Sequence, residues 1–293
     1  MLPKLISENQ SGFVKGRLIT KSVLLGQEIV QGISEHNTGG NVVIKLDMAK
    51  AYDEMDWSFI IAVLRRFGFS EGQGLKQGDP LSPSLLILDA EVFSRMLNSL
   101  YQKNDFIPFS MSTKGSNINH LSYADDIVIF SSENSRSLKL IMKQIHKYEK
   151  SSGQRVNDDK SFFLTSPKAG SYKINRISDI TYFRNKDFPF TYLGYPIYIG
   201  RKKVEYFDNM LSKVVIRSNG WQGNMLSNDG RMILIKQVLQ SLPIDTMTTL
   251  KPPKSIINLM EKHFARLPSG DPLGNVLGKM CLQEWEPNDH VFS

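Results

Sequence analysis

Three aspartates stand where burying a charge would be costly. Asp47 closes the apolar run Asn41–Leu46 (NVVIKL), and Asp125-Asp126 form the polar centre of Ile118–Phe130 (INHLSYADDIVIF), with strand-like apolar runs on both sides. A carboxylate beside an apolar strand is expensive to desolvate unless a cation neutralises it. If a hairpin over 118–130 pairs beside the 41–46 strand, all three carboxylates meet at one end of a sheet. Such oxygen donors suit a hard divalent cation, Mg²⁺ first. Two such ions ~3.5–4 Å apart activate an attacking hydroxyl and stabilise a leaving phosphate. On spacing alone a second reading stands beside this one, because aspartates are common in turns, where water solvates them. Gln77-Gly78-Asp79-Pro80-Leu81-Ser82-Pro83 is a further constellation. Its glycine permits close backbone approach, and the helix that follows offers an N-terminus to a phosphate or sugar. Taken alone, the same string is a turn and a helix cap.

The elements that must position these residues are legible in the pattern. Asn41–Leu46 follows the turn signal Thr38-Gly39-Gly40 and predicts a buried strand running into Asp47. Asp56 caps a predicted helix with Trp57, Ile60, Ile61 and Leu64 on one face and Gly68 beyond its end. Ser82-Pro83 starts another, with Leu85, Leu88, Val92 and Met96 on one face. The 118–130 segment reads as a hairpin, although its turn lacks the usual Asn-Gly. Arg136–Lys150 has helical spacing through Leu138, Ile141, Ile145 and Tyr148, broken at Ser151-Ser152-Gly153. Phe207–Leu242 predicts two amphipathic helices split at Ser218-Asn219-Gly220, and the Gly- and Pro-rich tail after Pro268 has no period. The expected fold is α+β: an antiparallel sheet with helices on one face, then a helical, basic C-terminal part.

A chain of 293 residues with 41% hydrophobic and 22% charged residues is composed like a globular protein, which excludes wholesale disorder. No apolar run approaches the ~20 residues that span a bilayer, and the N-terminus lacks a basic-then-apolar signal layout, so no membrane partner is expected. The single cysteine, Cys281, excludes an internal disulfide and a cysteine-based zinc cluster, which fits a reducing compartment. The net charge is +7. Between Arg201 and Arg266 there are 11 Lys/Arg against 5 Asp/Glu, a local basic excess. It suits a polyanionic partner, and equally a solvated basic face.

Taken as strings, the same residues resemble a known family. Tyr123-Ala124-Asp125-Asp126 resembles the YxDD box of reverse transcriptases, Lys45–Asp53 (KLDMAKAYD) its metal-binding motif A, and Gln73–Pro83 (QGLKQGDPLSP) its motif B, in the family's order. Gln10–Arg17 (QSGFVKGR) is similar to the segment leading from fingers to palm in the LINE-type (non-LTR) enzymes. Gly153–Lys160 (GQRVNDDK) resembles motif D, and Phe188–Pro196 (FPFTYLGYP) and Leu226–Leu239 resemble the primer grip and thumb of the plant branch. The resemblance covers roughly residues 5–265. It implies a polymerase palm over 41–200 after residual fingers over 1–40, a helical thumb over 201–266 and an irregular tail over 267–293. It implies an RNA-directed DNA polymerase of a retrotransposon, using Mg²⁺ (or Mn²⁺), an RNA template, a DNA primer and deoxynucleoside triphosphates. Asp47, Asp125 and Asp126 would be metal ligands and Lys160 a proton donor to pyrophosphate. Tyr52, Gln77, Gly78 and Asp79 would line the incoming nucleotide. Tyr123, Tyr192, Gly194 and Arg17 would contact nucleic acid. A nuclear location follows from the family's life cycle.

The chain also departs from that pattern. Only Ser70-Glu71-Gly72-Gln73 separates Phe69 from Gly74, where the family has several tens of residues. Most of the fingers, with their triphosphate-gripping basic residues, are expected to be missing, and the text after Arg266 stops resembling the family. These departures imply a degenerate copy with doubtful turnover, or an inactive nucleic-acid-binding remnant. They also imply that the helices over 57–67 and 85–96 expose apolar faces.

Overall fold

Strand β1 (Asn41–Ala49) is the axis of the fold, and its β-branched and aliphatic residues explain why: Val42, Val43, Ile44 and Leu46 are all fully buried. The computed structural model describes residues 5–49, 56–68, 82–111, 118–209, 211–212, 216 and 252–265. On one side β1 pairs antiparallel with β3 (Asp126–Ser132), which forms a hairpin with β2 (His120–Tyr123). On its other side β1 pairs with β4 (Arg155–Val156) and β5 (Phe162–Thr165), and β5 carries the two-residue β6 (Arg184–Asn185) in parallel. The strand order is β2-β3-β1-β5-β6. A separate two-stranded ribbon joins β7 (Phe190–Tyr192) to β8 (Tyr195–Ile197).

Alternation along β1 gives the sheet two different faces. Val42, Ile44, Leu46 and Met48 belong to a core shared with three helices: α3 (Ser82–Asn98), α4 (Ser135–Ser152) and α5 (Ser171–Thr181). Val43, Lys45 and Asp47 point the other way. There Leu121, opposite Val128, lies against Gly26 of helix α1 (Ile19–Gln31), and Phe162 packs edge-on against Phe190 of β7 with ring centres 6.0 Å apart. The carboxylates therefore share a face with the ribbon, away from the helical layer.

Helix α4 matches its sequence pattern: Asn134 caps it, Gly153 ends it at φ 79°, and Leu138, Ile141, Ile145 and Tyr148 are buried. Helix α2 (Trp57–Arg66) begins where expected, with Asp56 accepting from the Ser58 amide at 2.8 Å. Its core face is different, however. Ile60 and Val63 are buried, whereas Trp57 and Ile61 are 52% and 45% exposed, in line with the expected apolar exposure. In α3 the expected stripe is only half-buried at Leu85, Val92 and Met96. Ile87, Leu88, Ala90, Phe93 and Leu97 carry the burial, because apolar residues on two sides of the helix meet two clusters, Phe93 and Leu97 one and Ile87 and Leu88 the other.

Within that layer Asp89 of α3 is buried, and the Tyr148 hydroxyl lies 2.7 Å from its Oδ2 and 2.7 Å from Gln154 Oε1. Burial pushes the Asp89 carboxyl up to about 6, against the opposing pull of the Tyr148 hydrogen bond. The folded chain thus holds this proton to a higher pH than the unfolded chain. The resulting stabilisation is fully present below the ordinary aspartate range and is lost as pH rises through about 6. Its size is about 3 kcal/mol. Asp89→Asn should flatten the stability curve between about pH 4 and pH 6 and raise the urea midpoint at neutral pH. Parallel curves for the two proteins would contradict this.

The chain divides into two units, up to Ile199 and from Gly200. In the second, the described elements include a 3₁₀ turn at Val204–Phe207 and helix α6 (Lys254–Ala265), with Phe207 and Ile256 fully buried. The helix break at 218–220 and the tail after Pro268 lie outside the described residues. Among the described residues no helix is long and apolar enough to cross a membrane.

Candidate active site

The β2–β3 hairpin closes through Ala124 and Asp125, because Tyr123 and Asp126 are paired across the two strands. Ala124 takes φ 50°, a left-handed conformation that a non-glycine residue adopts at a cost. In place of the missing Asn-Gly signal, the turn is held from outside. The Ser11 amide donates to Ser122 O at 3.0 Å and the Ser122 amide to Asn9 O at 2.9 Å, so Asn9–Ser11 runs along the free edge of β2. A Cβ on Gly12 would lie 2.9 Å from Ala124 N, closer than side-chain carbons come to backbone. Phe13 lies beside the Tyr123 ring, centres 6.0 Å apart. Arg17 sends its guanidinium to the carbonyl oxygens of Ile6, Ser7 and Gln10, bracing this loop.

The β1–β3 register sets Asp47 directly opposite Asp126, and opposed residues of an antiparallel pair share a face. Asp125, next in the turn, ties to β1 through its carbonyl, which accepts from the Met48 amide at 3.4 Å. The three carboxylates therefore gather at one sheet end, as the sequence predicts. The Asp125 carboxyl is pushed upward by partial burial first, then by the charges of Asp126 and Asp47. Two lysines answer that charge. Lys45 Nζ donates to Asp126 Oδ1 at 2.7 Å, and Lys160 Nζ stands 3.9 Å from Asp47 Oδ1. The turn between β4 and β5 places Lys160: the Asn157 amide donates to Asp47 O at 2.8 Å, and the Asp47 amide donates to Ser161 Oγ at 3.1 Å. Among the described residues, no three His, Cys, Asp or Glu side chains are arranged to hold a metal ion.

Tyr192 and Gly194 sit in the β7–β8 ribbon. Leu193 and Gly194 have φ 53° and 86°, the two positive values of a type I′ turn. The space around Gly194 is open, so its conformation and not crowding favours glycine. Tyr192 is buried, and its hydroxyl has no hydrogen-bond partner among the described residues. Its pKa is raised by burial first and by the Asp126 charge second. Tyr52, Gln77, Gly78 and Asp79 lie outside the described residues, as does the Phe69–Gly74 join. Sequence reasoning assigned no role to Lys45, Gly12 or Ser161. A lysine inside an apolar strand was a readable signal, since a buried ammonium needs a partner.

Residues 1–197 match the family described as reverse transcriptase (RNA-dependent DNA polymerase). The chain is 24% identical over 306 residues to the transposon TX1 uncharacterized 149 kDa protein of Xenopus laevis, covering 90% of this chain and 22% of that one. It is 27% identical over 151 residues to the Pol polyprotein of the type-2 retrotransposable element R2DM of Drosophila melanogaster, covering 41% and 13%. The chain thus spans less than a quarter of the length of these curated relatives. Among solved structures, a Candida albicans telomerase in complex with a telomeric RNA fragment superposes with a TM-score of 0.49 at 9% identity, covering 96% of this chain and 57% of that one. The match over residues 1–197, with the carboxylates in register across β1 and β3, places the chain in the reverse transcriptase family, among those of non-LTR retrotransposons.

Proposed function

We propose that the chain is the palm and thumb of an RNA-directed DNA polymerase that joins deoxynucleoside triphosphates to a DNA primer on an RNA template. The observation that carries this reading is the pairing of Asp47 with Asp126 beside Asp125, three carboxylates on one sheet end. The donor types, though not the side-chain arrangement among the described residues, suit Mg²⁺, with Mn²⁺ as a substitute: the candidate ligands are all oxygen, and Asp125, lifted by burial first and then by the charges of Asp126 and Asp47, is a carboxylate that a dication would relieve. Bound there, the metal would supply charge neutralisation for the primer 3′-hydroxyl and the departing pyrophosphate. The chain's own residues do the rest. Asp47, Asp125 and Asp126 would hold the ions. Lys160, mostly exposed and hinged on the Asn157–Ser161 turn, is free to swing from Asp47 to protonate pyrophosphate. The Tyr192–Gly194 turn steadies the primer end, and Tyr123 stacks beneath the nucleic acid.

The four-residue Phe69–Gly74 join favours a second reading, a degenerate copy that keeps nucleic-acid affinity without turnover. The test is primer extension on poly(rA)/oligo(dT) with Mg²⁺ and labelled dTTP, beside a hybrid-binding titration. Metal-dependent extension supports the polymerase. Metal-independent binding without extension, falling with salt by roughly one unit of log–log slope per phosphate contacted, supports the remnant. A folded preparation that neither extends nor binds the hybrid overturns both.

A further inference from the structure

Lys45 is an unusual occupant of β1. It lies among Val42, Val43, Ile44 and Leu46, its side chain is only 10% exposed, and its ammonium donates to Asp126 Oδ1 at 2.7 Å. The register explains the reach: Lys45 is two residues before Asp47 and on the same face, and Asp47 stands opposite Asp126. Asp126 thus answers to a cation within the fold. We infer that Lys45 is a positioning residue, a built-in counter-cation that holds Asp126 and that a divalent cation must displace from that carboxylate.

The inference rests on the metal-site reading above and adds to it a competition. A fixed positive charge a few ångströms from a dication's place opposes binding directly, and it also occupies one of the ligand oxygens. Lys45 therefore sets how much free metal the site needs. Lys160 does not have this effect: it is 68% exposed and 3.9 Å from its carboxylate, so water and salt screen it.

The test is Mn²⁺ binding to the purified full chain, with free Mn²⁺ counted by electron paramagnetic resonance. Lys45→Met should bind Mn²⁺ on the order of tenfold more tightly than the parent chain, and Lys45→Arg, which keeps the charge, should stay within about twofold. Equal or weaker binding by a folded Lys45→Met chain overturns the inference and leaves the metal site standing. No Mn²⁺ binding by either chain overturns both. If Lys45→Met does not fold, acylation of lysines in the parent chain, read by peptide mass spectrometry, decides. Labelling of Lys45 that rises as Mn²⁺ is added supports displacement. Labelling that stays flat while Mn²⁺ binds refutes it.

Discussion

Primer extension by a chain carrying both Asp125→Asn and Asp126→Asn should fall to background, a loss of at least ~10³-fold, because phosphoryl transfer relies on positioned ions and charge neutralisation. The same change should leave the melting temperature within a few degrees of the parent's. Asp125 gains from losing its charge, since burial and the neighbouring carboxylates already disfavour it. At Asp126 an amide oxygen can still accept from Lys45. The pair of measurements separates chemistry from folding. Incorporation of labelled dTTP above a tenth of the parent's rate by the double variant would remove these carboxylates from the mechanism.

The second large effect is expected from Gly12→Val. The added Cβ meets Ala124 N at 2.9 Å, and Tyr123 Cα and C at 3.4 Å. These are backbone atoms, so nothing flexible can yield, and the hairpin turn itself must move. A shift of that kind at the proposed metal site should cost on the order of 10²-fold in kcat. The KM for dTTP should change little, because the contacts of Gly12 are with the backbone of the hairpin turn. Gly12→Ala should fall between the two. Steady-state extension kinetics check this, and a kcat within twofold of the parent's for the valine variant would show that the turn does not need the loop beneath it.

How much of this could be read from the sequence depended on whether the signal was local. β1 announces itself because four of its residues are β-branched or leucine and all are buried. Helix α4 was legible to within one residue at its start and two at its end, because its polar and apolar positions separate cleanly at helical spacing. Helix α2 was placed correctly and its expected stripe was half right. Ile60 is buried and Leu64 packs against the core, whereas Trp57 and Ile61 are exposed, as hydrophobicity alone does not decide which apolar residues find a neighbour. The carboxylates were found because strand ends and the YADD string mark them. Their supports were hidden, because each acts across a long separation. Gly12 meets Ala124, Ser161 meets Asp47, and Lys45 meets Asp126 only once the register is fixed. Asp89 and Tyr148 are the same case: each looks like an ordinary helical residue until α3 and α4 pack.

The two ends of the sheet order also bear on how the molecule behaves among copies of itself. At one end, Asn9–Ser11 occupies the hydrogen-bonding edge of β2. At the other, β6 has only two residues, and Arg184, Asn185, Lys186 and Asp187 all face solvent. A short, charged margin is a poor template for another strand, and an occupied one offers few free amides. The exposed Trp57 and Ile61 of α2 can still make the protein sticky through their side chains. The association they drive should be amorphous and reversible by mild detergent, not fibrillar growth by strand addition.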